Sequence, residues 1–196
     1  MVLKRNWRVF FVVACAFASV AASAAEMRLA LDPAATPVHY ILADPLHTVH
    51  GAFKLLRGTI VFDPETGAAS GELVVDATSG QSGSNGRDSR MHKSVLESAK
   101  YPEIVFKPDR VEGKVALEGD SEVSVHGVFR IHGADHEITV QAKTHFAGDK
   151  VTAEIRFPVP YVKWGMKDPS NFMLHVGNTV QIEIDAVGRL STGEVK

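Results

Sequence analysis

The sequence predicts an all-β domain of eight or more antiparallel strands, with one short helix between the fourth and fifth. Three observations predict it. From Val38 onward, apolar residues alternate with polar ones in most segments, the period of a strand with one buried face. Turn signals such as Pro64-Glu65-Thr66-Gly67 and Ala147-Gly148-Asp149-Lys150 punctuate those segments; Pro presets φ and Gly accepts a positive φ. Only one stretch, with Met91, Val95, Leu96 and Ala99 at offsets of four, five and eight, has the spacing of a helix face.

The first 25 residues stand apart from this pattern. Lys4, Arg5 and Arg8 form a basic start, Val9 to Val20 is apolar, and Ser23-Ala24-Ala25 offers small residues for cleavage. This is the grammar of a secretory signal peptide, and the apolar run is too short for a membrane span. The expected boundaries are a signal peptide at 1–25 and one domain at 26–196, placed in the periplasm or secreted. Cys15 is the only cysteine. Val12-Val13-Ala14-Cys15 faintly resembles a lipoprotein box, so acylation of Cys15 is the alternative to cleavage before Glu26. With cleavage before Glu26 the mature chain has no disulfide, and packing alone must hold it together.

The expected strands follow in order. His39–Leu42 is short and apolar. Thr48–Phe62 reads as two strands pinched near Arg57-Gly58. In Gly71–Thr78, Leu73 and Val75 share one face and Val74 takes the other. Ser79–Gly86 reads as a flexible connector. The helix follows, with Asp88 or Ser89 as its cap and Pro102 as its stop. Period-two segments then return around Ile104–Lys107, Val123–Arg130, Ile138–Val140, Val151–Phe157 and Val180–Val187. So many strands must close as a barrel or pack as a sandwich to hide their edges. Glycines at 51, 58, 71 and 127 favour a barrel, because glycine permits the bends of a closing sheet. Its inward face would carry Phe53, Leu55, Ile60, Phe62, Phe106, Phe129, Phe157 and Ile182. An ordinary filled core and a ligand cavity are both compatible with such a face.

Composition excludes several function classes. Loss of Lys4, Arg5 and Arg8 shifts the formal charge from −2 to −5, and no basic cluster interleaves with aromatics, so no nucleic-acid partner is expected. No stable membrane insertion is expected either. His47, His50 and His92 could be assembled into a metal site only on a weak pair spacing, so the metal and cofactor expectation is none. No serine stands in a G-x-S-x-G elbow, no carboxylate pair is fixed by spacing, and no catalytic residue is assigned.

One set of segments resembles a known family. Arg87-Asp88, Met91-His92, Leu96 and Ala99-Lys100-Tyr101-Pro102-Glu103-Ile104-Val105-Phe106 resemble the helix-to-strand signature of YceI-like proteins, an exported polyisoprenoid-binding family. Leu46–Gly51 with Phe53, Phe129–Gly133 with His136–Val140, and Pro158–Ser170 resemble further segments of it, in the same order. The resemblance covers about Val38 to Leu190. It implies a lipocalin-like barrel that holds an isoprenoid such as a quinone or polyprenyl phosphate, without catalysis. Ligand-binding residues implied or suggested are Phe53, Arg87, His92, Tyr101, Phe106, Phe129, Phe157 and Trp164. Arg87 draws notice because a guanidinium near a barrel mouth can pair with a phosphate or a quinone oxygen; the alternative is that Arg87 and Asp88 lock the helix to the rim. Met91-His92-Lys93 and Leu96-Glu97 stand where many relatives carry a more acidic and aromatic run, and the later loop has its Trp164-Gly165-Met166 version; both leave the ligand open. A filled barrel serving a structural or stress-related role, and a metal-dependent hydrolase, are the other readings. Monomer and homodimer are both compatible with the sequence.

Overall fold

A computed structural model describes residues 26–43, 48–170 and 175–192. The expected signal peptide with Cys15, and His47, lie outside the described residues. Among the described residues nine strands form one antiparallel sheet: β1 (Met27–Leu31), β2 (Pro37–Ala43), β3 (Thr48–Phe62), β4 (Ala69–Gln81), β5 (Glu103–Glu112), β6 (Gly119–Ile131), β7 (Ala134–Ala147), β8 (Lys150–Val159) and β9 (Val180–Thr192). Each of β3 to β8 pairs with the next strand in sequence, β8 with β9 included despite their long connection, and β2 joins β3 to β9. The sheet is therefore closed, which removes its edges.

The nine strands occupy eight positions. β1 and β2 both lie between β3 and β9, one beyond the other: Met27 faces Phe62 and Thr192, while Val38 faces Phe53 and Ile184. β1 is a strand that the sequence reading does not contain. The gap between the two halves would orphan the backbone of Val187 in β9. Asp32 N–H donates to Val187 O at 2.7 Å. Thr36 is buried at 1 % exposure, and its hydroxyl donates to the same oxygen and accepts from Val187 N–H at 3.1 Å. A side chain thus stands in for a missing strand.

The expected pinch at Arg57-Gly58 is instead one continuous strand of 15 residues, β3, with register shifts against β4 between Ala52 and Lys54 and between Leu55 and Arg57. Bulges bend a strand without ending it. A similar shift lies at Pro108/Arg110 in β5. It is opposite Gly127, where a Cβ would sit 2.3 Å from Lys107 O. Proline brings no donor to the ladder, and the bare glycine lets the partner strand close onto it.

The connector after β4 also differs from expectation. Ser79–Gln81 continues the strand, and helix α1 starts at Asn85 with Ser84 in the N-cap position. Neither Asp88 nor Ser89 caps it. The Asp88 carboxylate accepts from Ser82 N–H at 2.9 Å and from its hydroxyl at 2.5 Å, tying α1 to the end of β4. After Arg90 the helix widens into a π-helical turn, Met91–Val95, with Leu96 N–H donating to Met91 O. It stops well before Pro102, because Glu97 adopts φ 46°, the left-handed geometry that ends many helices.

Antiparallel connectivity puts α1, the β6–β7 turn and the long β8–β9 connection at one end of the barrel. The β3–β4, β5–β6 and β7–β8 turns lie at the other. That second end is packed by the buried Phe62, Val123, Phe146 and Val151.

Candidate ligand cavity

The inner faces of the strands follow the period-two pattern, and all eight residues expected to point inward do so. Phe53, Leu55, Ile60, Phe62, Phe106, Phe129, Phe157 and Ile182 line a single interior cavity of about 820 Å³. Phe106, Phe157, Ile182 and Ile184 face inward and yet are only half-buried, because the bore opposite them is unfilled. This volume lies in the upper part of the range typical of small-molecule cavities, roughly 300–1,000 Å³. The interior is hollow, so a solid barrel core does not describe it.

The lining is almost wholly apolar. Among the described residues, its hydroxyls belong to Thr36, Thr48, Thr144, Tyr40 and Tyr161, and its only charged side chains are Arg87 and Arg90. Burial raises the Tyr40 phenol above its ordinary pKa; Asp88 adds to this, while the Ser82 hydroxyl and Arg87 oppose it. Burial, helped by the Asp168 carboxylate, pushes Tyr161 up to about 12. Tyr161 hydroxyl donates to Gly177 O at 2.8 Å, pinning the β8–β9 connection to itself. Both phenols therefore stay neutral in the bore at ordinary pH.

The helix end is built from interlocked pieces. Tyr40 rests against Gly51, where a Cβ would come within 2.3 Å of its ring. Phe53 packs on Tyr40 with centroids 5.3 Å apart. Met91, Val95 and Leu96 present the inner side of the helix to the cavity. Arg90 Nη1 donates to Pro169 O at 3.2 Å, joining the helix to the β8–β9 connection.

The structure separates the site residues suggested from sequence into two groups. Phe53, Arg87, Phe106, Phe129 and Phe157 line the cavity. His92, Tyr101 and Trp164 lie outside its lining. His92 ties three elements together, with Nδ1 3.0 Å from Ser98 Oγ and Nε2 2.9 Å from Gly80 O. Tyr101 lies tilted against His132 at 4.8 Å under the Lys100 ammonium, and His132 Nε2 meets Glu97 Oε2 at 2.7 Å. Trp164 lies flat on His136 at 4.0 Å and tilted against Phe129 at 5.9 Å, so it supports a cavity residue from behind. Among the described residues no group of three or more His, Cys, Asp or Glu gathers as a metal site. His50 and His92 make no cluster, and His47 is outside the described residues. Arg90 is the charged lining residue that the sequence reading lacks. Its spacing of three from Arg87 on a helix is the signal that could have found it.

Comparison with known proteins agrees with this architecture. The model of the YceI-like domain matches residues 29–188. The UPF0312 protein VPA0850 of Vibrio parahaemolyticus is 31 % identical over 103 residues. That match covers 52 % of each chain, so the chain spans about half the length of this curated relative. Two solved structures superpose with a TM-score of 0.67. A polyisoprenoid binding domain from Saccharophagus degradans implicated in plant cell wall breakdown is 17 % identical, over 83 % of this chain and 98 % of that one. Burkholderia cenocepacia BcnA is 20 % identical, over 80 % and 98 %. A YceI protein of Campylobacter jejuni follows at a TM-score of 0.59 and 16 % identity, over 76 % and 87 %. At these identities the three structures establish the shared fold.

Proposed function

The chain belongs to the YceI-like family, and we propose from that premise that it binds an isoprenoid or other long-chain lipid in its bore without chemical conversion. The observation that carries this reading is the cavity of about 820 Å³, apolar along the barrel and, among the described residues, charged only at Arg87 and Arg90. An apolar tail leaving water for such a bore gains about 0.8 kcal/mol per buried CH₂. The Saccharophagus relative, described as a polyisoprenoid binding domain, supports the tail chemistry. A quinone and a polyprenyl phosphate share that tail. The basic, apolar and small-residue order of residues 1–25 supports export to the periplasm or beyond as the place of action.

Native mass spectrometry of protein purified from its own host, followed by organic extraction, tests the reading. A stoichiometric adduct that extracts into solvent, with a fragment ladder in isoprene or methylene steps, is the expected result. A bare polypeptide mass that also fails to take up added polyprenyl phosphate or quinone would overturn it.

A further inference from the structure

We propose that Arg87 and Arg90 form the headgroup site of the bore, and that it selects an amphiphile with an anionic oxygen head, a phosphate monoester or a carboxylate, over a neutral one of equal tail. The inference rests on the lipid-binding reading above and adds the chemistry of the ligand's polar end. Both arginines lie on α1 three residues apart and touch the cavity. Both are exposed on their outer side, so they stand where the apolar bore meets water.

Asp88 and Asp168 are engaged elsewhere. Asp88, between the two in sequence, accepts from Ser82 N–H and Oγ–H. Asp168 on the facing connection accepts from Ser170 N–H at 2.8 Å, and that contact with Ser170 holds its carboxyl below the ordinary range. Among the described residues neither arginine has a carboxylate within 4.0 Å, whereas Arg57, Arg110, Arg130, Arg156 and Arg189 each do. Arg90 spends one N–H on Pro169 O. A guanidinium carries five donors in a planar fork, which leaves the pair enough to grip an oxyanion.

The neighbouring phenols reinforce the direction of choice. Tyr40, close enough to Arg87 to feel its charge, stays neutral, so among the described residues of the lining none offers a competing negative charge. A headgroup here stays partly hydrated while its tail runs into the bore. The expected preference is therefore that of exposed, charge-assisted contacts rather than of a buried ion pair, about tenfold for the two arginines together.

The test uses matched heads on matched tails, with displacement of a fluorescent fatty acid as the readout. Farnesyl phosphate is compared with farnesol, and palmitate with hexadecanol, on the wild-type chain and on Arg87→Gln, Arg90→Gln and the double variant. The expected result is a roughly tenfold preference for each anion that shrinks in each single variant and vanishes in the double, with alcohol affinity unchanged. The phosphate and carboxylate arms show which source of the anionic head fits better. Equal affinity of anion and alcohol on the wild-type chain would overturn the headgroup site while leaving lipid binding intact. A preference that survives the double variant would overturn its assignment to these arginines. Inorganic phosphate that displaced the probe as well as farnesyl phosphate does would also overturn it. Failure of all four amphiphiles to bind would instead overturn the lipid-binding reading on which it stands. Retained alcohol binding in the variants guards against loss of fold.

Discussion

Ala153→Trp should stop the bore without unfolding the barrel. Ala153 lines the cavity from β8, opposite Thr144 on β7 and Ala186 on β9, which also line it. Three small side chains thus stand side by side at one level of the wall. An indole placed there would project into the cavity just above the packed end at Phe146 and Val151. If it excludes about four methylene groups of a bound tail, the loss is about 3 kcal/mol at ~0.8 kcal/mol per CH₂, a roughly two-hundredfold weaker Kd. Stability should change little, because the new ring fills a void. Overpacking a filled core costs about 1–3 kcal/mol instead. The assay pairs displacement of a fluorescent fatty acid with urea unfolding of the same variant. Unchanged affinity together with a stability loss of that size would refute the reasoning, since it would mean that Ala153 faces packed side chains.

Other expectations concern the barrel itself. Thr36→Val removes the hydroxyl that serves both Val187 N–H and Val187 O; urea unfolding should show a loss of about 2 kcal/mol, the cost of leaving a buried backbone group unpaired. The Asp63 carboxyl is held below its ordinary range by the Thr66 hydroxyl and then by the Glu65 amide. Its contribution is present above the unfolded carboxylate pKa and is lost as pH falls through the folded one, so Asp63→Asn should flatten the acid limb of Tm against pH. Tyr161 moves the other way. Its phenol is raised to about 12 from 10.0, so stability should fall as pH climbs through that interval, and Tyr161→Phe should remove the late step from a tyrosinate absorbance titration.

The strands β2 to β9 were legible because each has one face on the bore and the other on water, and that arrangement writes a period of two into the chain. The bore-facing aromatics from Phe53 to Phe157 follow from that period alone. β1 alternates too, with Met27, Leu29 and Leu31 against Arg28 and Ala30. Its place, however, depends on Thr36 and Asp32 bridging to Val187 more than 150 residues away, a contact no local pattern records. The β3 pinch failed for a related reason: a bulge and a turn share the same glycine signal, and the partner strand decides between them. At the helix, Asp88 looked like a cap because carboxylates favour that position, yet Ser82 had already claimed it. The residue types of the site were readable, but their partners were not. His92 with Gly80 and Ser98, or Trp164 with His136, are pairings that folding alone brings together.

A hollow apolar barrel that binds through the tail of its ligand should show a dependence of affinity on tail length. A calorimetric titration with fatty acids of increasing chain length measures it most directly. Each added methylene should tighten Kd by about fourfold, the equivalent of ~0.8 kcal/mol, until the tail reaches the packed end at Phe62 and Phe146, after which affinity levels off. Affinity independent of tail length would contradict it.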